Sequence, residues 1–316
     1  MEELQSEFEV YTRTHWMACA GQGRAGYRPL MGGAGGPGDG NQWTVGAVGN
    51  VNWTGVLLKD VLESVGLQEE AVFVAWYGED KSCSEPEGNA VQDEESVISR
   101  GFDVEKALDG YTMLAWEMNG EPIPAIHGFP LRVIVPGYLG AAQGKWLRRL
   151  WVRDQEHDGK KMTGWTYRMA TQPFAPGSVS SKIPPEEYDP PIETEVITTM
   201  PVYSIITTPA RCHTTNSTTV YLEGKAWSGV GDIANVQLTY NAGMDWFEAS
   251  DLQAPPNKWA WQTWSHTLVL PGKGDYQIIA RAIDVEGRGQ PPIAWTWNPK
   301  GYLNNAVMSV DVTVAL

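Results

Sequence analysis

Short apolar runs separated by turn residues dominate this 316-residue chain. Residues 112–117 (TMLAWE) and 131–135 (LRVIV) are too short for helices and rich in strand formers, so both predict strands. Asn119-Gly120 between them marks a tight turn, and Pro136-Gly137 stops the second run. Residues 7–19 predict an extended segment leading into a strand. Residues 71–76 predict a buried strand, followed by a polar, acidic loop over 78–95. Residues 56–65 (VLLKDVLESV) place apolar side chains at helical spacing and stop at Gly66, which predicts a helix with a glycine cap. From Met200 onward strand signals recur every ~8–12 residues with turns between them, as in a β-sandwich. TTVYLEGKAW, NVQLTYN, HTLVL, YQIIARAID and VMSVDVTV are the clearest. The proline-rich, polar stretch 175–194 reads as a linker. The expected fold class is α+β, mostly β, in two domains covering 1–196 and 197–316.

Composition narrows the classes of function. Hydrophobic residues make up 42% and charged residues 19%, a globular balance. No apolar run approaches the ~20 residues of a membrane helix. The formal net charge of −15 argues against nucleic acid, whose phosphates need Lys/Arg stripes. It favours a cationic partner such as a basic electron carrier, and serves solubility equally well. Cys19, Cys83 and Cys212 form no paired spacing, so no disulfide framework is expected. The five histidines are scattered and neither HExxH nor CxxC occurs, which leaves a zinc site without support. No basic and then apolar leader pattern is visible at the start of the sequence, which leaves localisation open: periplasmic if a removed leader preceded it, otherwise cytoplasmic.

Two glycine-rich stretches invite nucleotide readings and fail them. GQGRAG at 21–26 matches GxGxxG, but Pro29 and the glycine run 32–40 follow where a helix must begin. GAAQGKW at 140–146 has neither P-loop spacing nor the Ser/Thr after its lysine. What survives is a lone His127, with Arg132 and Lys145 presented by loops and strand ends. That set of cations suits an anionic group such as a phosphate.

These same residues resemble the sulfite oxidase family of molybdenum enzymes. Over 111–152 the similarity rests on an E-MNG turn, then HGFP-R, VPG and KWL. CAGQGR at 19–24 is similar to the family's CAGN-R, and KAWSGVGDI and WNPKGYLNNA to its C-terminal dimerisation domain. The resemblance implies a molybdopterin domain followed by an immunoglobulin-like sandwich, and hence a homodimer. It implies that the Cys19 thiolate binds molybdenum, a soft donor for a soft metal. His127, Arg132 and Lys145 would hold the pterin and its phosphate. Asp80 would touch the pterin, although a solvated loop carboxylate is an equal reading. Arg24 would hold the substrate anion and Trp43 line its pocket, core packing being the alternative for Trp43. Tyr167 is the nearest match to the family's tyrosine near the metal, with differing flanks, Trp165 close enough to confuse the register, and a surface-strand tyrosine as an equal reading. Lys300 stands where sulfite-oxidising members carry arginine, keeping charge but losing the bidentate fork.

The departures are Gln22-Gly23 in place of Asn-Arg, the 32–40 insertion, and a family segment that lies before the point where this sequence begins. The implied activity is oxidation of sulfite or a related sulfur oxyanion to sulfate, with electrons passed to a separate c-type cytochrome. The alternatives are oxyanion reduction, as in the family's nitrate reductases, and a cofactor-less homologue serving as a binding or assembly subunit.

Overall fold

The computed structural model describes residues 1–29, 40–81, 97–159, 161–293 and 297–316. It divides into two compact units, one of residues 1–20, 51–198 and 298–300, the other of 21–50, 199–297 and 301–316. Cys83 and most of the acidic loop expected over 78–95 lie outside the described residues.

Up to residue 198 the elements are α1 (Glu2–Glu7), β1 (Val10–Ala18), β2 (Val48–Leu57), α2 (Leu58–Val65), β3 (Phe73–Lys81), β4 (Val97–Asp103), α3 (Val104–Ala107), β5 (Met113–Met118), β6 (Glu121–Pro122), β7 (Arg132–Ile134), β8 (Leu147–Arg153), β9 (Arg168–Ala170) and β10 (Thr194–Val196). One sheet runs β1-β2-β5-β6 with β7 also paired to β5, a second runs β4-β3-β8, and β9 pairs β10. Alternation along β5 sends Leu114 and Trp116 into one apolar cluster and Met113 and Ala115 into another, so both faces of that sheet are covered. The first cluster also takes Val74 and Trp76 from β3, Phe102 from β4, and Leu58 and Leu62 from α2.

The Asn119-Gly120 turn has both residues at positive φ, 55° and 81°, as a tight hairpin requires. The helix expected over 56–65 starts later, at Leu58. Val56 and Leu57 are still strand, paired with Leu114 and Met113, because sheet pairing overrides a helical apolar spacing only two residues deep. The 78–95 loop likewise begins late, since β3 continues to Lys81. The 175–194 stretch is proline-rich yet anchored: Trp165 donates its indole N–H to Ile183 O at 2.7 Å and packs on Tyr188.

Two histidines are buried in this unit. His15 on β1 is fully enclosed, and neither ring nitrogen has a hydrogen-bond partner among the described residues. His157 accepts from Arg153 Nη1 at Nδ1 (3.0 Å), so its Nε2–H donates to Ser99 Oγ (2.9 Å). That tautomer cannot serve as a base toward Ser99, which removes a hydrolase reading of the Ser–His pair.

The second unit carries β11 (Tyr203–Thr208), β12 (His213–Thr215), β13 (Thr219–Trp227), β14 (Ile233–Thr239), β15 (Phe247–Glu248), β16 (Asp251–Leu252), β17 (Gln262–Val269), β18 (Gly274–Asp284) and β19 (Ser309–Val314). They form an immunoglobulin-like sandwich of two sheets, β11-β13-β17-β16 and β12-β19-β18-β14-β15. The β12–β19 pairing is parallel. Val220, Leu222 and Leu268 of the first sheet meet Ile278, Val310 and Val312 of the second. Trp264 lies fully buried among them, its indole N–H donating to Ser204 Oγ at 3.0 Å.

Candidate functional site

Asp80, His127, Arg132 and Lys145 come together in the first unit. Arg132 sits on β7, opposite Ala115 of β5 and almost fully buried. Segment 144–147 runs beside β7, because Val133 N–H donates to Gly144 O (2.9 Å) and Leu147 N–H to Leu131 O (2.8 Å). That brings Lys145 alongside the HGFP turn. The approach requires Gly128, at φ 112°: a Cβ there would lie 3.0 Å from Lys145 Cα. Three successive carbonyls of the turn are then held by side chains. Trp146 Nε1 donates to Ala125 O (2.8 Å), Lys145 Nζ to Ile126 O (3.1 Å) and Arg132 Nη1 to His127 O (2.7 Å). Glu79 N–H donates to Trp146 O at 2.9 Å and draws in the end of β3 with Asp80. The His127 side chain stays exposed.

The electrostatics of this cluster call for an anion. Burial pushes Arg132 down to about 10, although it lies 5.0 Å over the Trp53 ring. Lys145 is lowered by burial and then by the Arg132 charge, with Asp80 partly offsetting. The Asp80 carboxyl is raised by burial, against the pull of a backbone hydrogen bond and of Lys145. The Arg132 Nε–H is buried with no acceptor among the described residues. An oxyanion between the two cations would satisfy that donor and reverse the repulsion.

Cys19 is exposed just beyond β1. Met17, two residues earlier, accepts from Arg132 Nη2 at 3.6 Å, which joins this end of β1 to the cation cluster. The 140–142 turn packs on it too, since a Cβ on Gly140 would lie 3.0 Å from Ala18 O. Leu139 N–H donates to Thr198 O (3.2 Å) and Ile197 N–H to Tyr167 O (2.9 Å), tying Tyr167 to the turn beside the Cys19 strand. Tyr167 is half-buried at φ 57°, with the Arg100 guanidinium 3.5 Å from its ring centroid. Trp165, the rival in that register, is buried against Phe174 and Tyr188 and serves packing.

The remaining candidates stand apart in the chain. Lys300 is half-buried, its N–H donating to Asn298 Oδ1 (3.1 Å) in a turn that belongs to the first unit. Arg24 and Trp43 belong to the second unit. Arg24 is buried, donating from Nε to Gly301 O (3.2 Å) and from Nη1 to Asn41 O (2.8 Å), with Tyr302 5.6 Å below. Trp43 is 39% exposed. Sequence reasoning missed Trp53, Met17 and Arg100. Only Arg100 left a trace, as a lone cation inside the strand run VISRGFD.

Comparison with known proteins gives two family matches. Residues 1–161 match the oxidoreductase molybdopterin binding domain, and residues 194–315 the Mo-co oxidoreductase dimerisation domain. The chain is 34% identical over 316 residues to mitochondrial sulfite oxidase of Macaca fascicularis, covering 98% of this chain and 54% of that protein. It is 31% identical over 296 residues to nitrate reductase (NADH) of Lotus japonicus, covering 87% and 31% respectively. The sulfane dehydrogenase SoxCD of Paracoccus pantotrophus superposes with a TM-score of 0.74 at 26% identity, over 99% of this chain and 71% of that one. The chain spans about half the length of the sulfite oxidases it matches.

Proposed function

The chain belongs to the family of molybdopterin-binding oxidoreductases, and from that premise we propose that it oxidises sulfite or a related sulfur oxyanion to sulfate. The family's cofactor is molybdenum–molybdopterin. The residues present fit it, on one observation above all: a buried Arg132 with an unsatisfied N–H beside Lys145, at the end of the strand that leads to Cys19. Arg132, Lys145 and His127 would hold the phosphate and ring, Asp80 would contact the pterin, and Cys19 would supply the thiolate. When bound, the cofactor supplies the two-electron redox chemistry. The protein's share is electrostatic and positional: Tyr167 offers a hydroxyl to the oxyanion and a route for its proton, and Lys300 a second positive charge.

In this reading electrons leave to a separate c-type cytochrome, steered by the chain's net negative charge. Residues 1–196 serve the cofactor and, together with Lys300, the substrate, and residues 197–316 hold a two-fold homodimer, the commonest closed assembly. Light scattering at micromolar concentration should give twice the monomer mass; a monomer removes the assembly from this reading.

Nitrate-type reduction is the second reading, favoured by the nitrate reductase relative and by Lys300 in place of a forked guanidinium. Molybdenum analysis of the purified protein, followed by steady-state kinetics with sulfite and with nitrate, separates these readings. Protein that folds but binds no molybdenum when supplied with it would leave only a binding or assembly role. Lys300→Met should raise the KM for sulfite about ten- to a hundredfold, the worth of one charge-assisted hydrogen bond. Lys300→Arg should keep or improve turnover. Unchanged constants for both substrates in Lys300→Met would place Lys300 outside the pocket.

A further inference from the structure

Trp53 belongs to no motif that marks the site, and its surroundings give its polar atom no use. It stands on β2, 2% exposed, in an apolar cluster with Leu57, Met113, Ala115, Ile123 and Ile134. A phenylalanine would pack there without bringing a polar atom into the interior. The indole brings an N–H that has no acceptor among the described residues. A buried donor left unpaired has given up its water for nothing, so buried indole N–H groups normally find a partner.

A second orphan donor adjoins it. Ala115 of β5 pairs with Gly55 of β2 on one side and with Arg132 of β7 on the other. Ala115 is small enough to let side chains from the two flanking strands meet, and the Arg132 guanidinium carbon lies 5.0 Å from the centre of the Trp53 ring. Arg132 commits Nη1 to the His127 carbonyl and Nη2 to the Met17 sulfur, a weak acceptor, which leaves its Nε–H with none. Burial lowers its pKa with no carboxylate opposing the shift. A buried cation short of an acceptor and of a counter-charge therefore adjoins a buried N–H short of an acceptor. Neither can complete the other, because both are donors. One anionic group with several acceptor lone pairs completes both. A third cation in place of the indole would add to the repulsion that Lys145 already meets from Arg132, whereas a neutral N–H adds a hydrogen bond without it.

We propose that Trp53 is a further residue of the anion site, its indole N–H donating to the oxyanion that Arg132 and Lys145 hold. This rests on the reading of that cluster given above, in which the oxyanion is the phosphate of the molybdopterin.

The test compares cofactor-free with cofactor-loaded protein, and its readouts are stability and cofactor retention rather than turnover. Trp53→Phe keeps an aromatic ring beside Arg132 and removes the N–H, while Arg132→Met removes the cation. Trp53→Phe should leave the Tm of cofactor-free protein unchanged or higher, since it takes away an unpaired donor. It should shrink the rise in Tm on loading and release the cofactor about tenfold faster, the worth of one hydrogen bond to a charged acceptor. In protein carrying isotope-labelled tryptophan, the indole N–H resonance that Trp53→Phe lacks should move downfield on loading. Wild-type retention in Trp53→Phe alongside impaired retention in Arg132→Met, or an indole resonance that stays in place, would overturn the part of Trp53 alone. So would a lower Tm in cofactor-free Trp53→Phe with the rise on loading intact, because the N–H would then serve the fold. Wild-type retention in Arg132→Met would overturn the reading of the cation cluster itself.

Discussion

Replacing Cys19 with serine should abolish the sulfite oxidation proposed above in protein supplied with molybdenum, a loss of at least about a thousandfold in kcat. The hydroxyl is a harder donor than the thiolate and a poor replacement on a soft, redox-active metal. A thousandfold corresponds to about 4 kcal/mol of transition-state stabilisation. The fold should be untouched, because Cys19 is exposed and lies beyond the last residue of β1. Its replacement leaves no cavity, and Tm should stay within about 1 °C of wild type. Turnover at even a tenth of the wild-type rate would remove Cys19 from the metal site. A lowered Tm would show that the thiol also serves packing, which its exposure argues against.

The second large effect expected is a loss of stability on mild acidification, centred on His15 and His157. Burial, and then the charge of Arg13, hold His15 down to about 3; burial, and then Arg153, hold His157 down to about 4. The folded state thus keeps both rings neutral, while the unfolded chain protonates them near the ordinary value of about 6.5. Their contribution is fully present above about pH 6.5. It declines as pH falls through that value, until the folded-state values are reached. At pH 5.0 each histidine has cost about 2 kcal/mol, so the pair costs about 4 kcal/mol, a large part of a typical total of 5–15. Asp80 pulls the other way, but as a carboxyl it acts at lower pH. Differential scanning calorimetry should show the first unit melting about 10 °C lower at pH 5.0 than at pH 7.5. His15→Phe combined with His157→Gln should flatten most of that difference. Equal Tm values at both pH values in the wild type would rule out the two histidines as the origin of acid sensitivity.

The sequence makes some levels of this structure legible and hides others, for physical reasons. Local chemistry that admits one solution is readable: Asn119-Gly120 can take two positive φ values cheaply, and the alternation in TTVYLEGKAW can bury only one face of β13. The cation cluster is readable as residue types, because the family resemblance places them, but its construction is not. Nothing local to KW says that Lys145 and Trp146 will clasp the carbonyls of residues 125 and 126, since that follows from the pairing of segment 144–147 with β7. Helix α2 shows the same limit from the other side. Val56 and Leu57 continue its apolar spacing, yet β5 claims them through backbone bonds that no periodicity records. Arg100 and Trp53 escape for a further reason, since a stacked pair is a meeting of residues far apart in sequence: 100 with 167, and 53 with 132.

The place of β19 in the sandwich has a consequence for the order of synthesis. Ser309–Val314 lies inside its sheet, flanked by β12 in parallel and β18 antiparallel. Until those six residues leave the ribosome, β12 has no neighbour in its sheet, and β18 presents a bare row of N–H and C=O groups alongside half of an apolar interior. The partner of residues 213–215 is made about a hundred residues after them, a delay of ~5–20 s at ribosomal speed. The nascent sandwich therefore exposes an unpaired strand edge for that interval. It also means that a deletion of residues 309–314 would withdraw a strand from within the sheet rather than trim its rim.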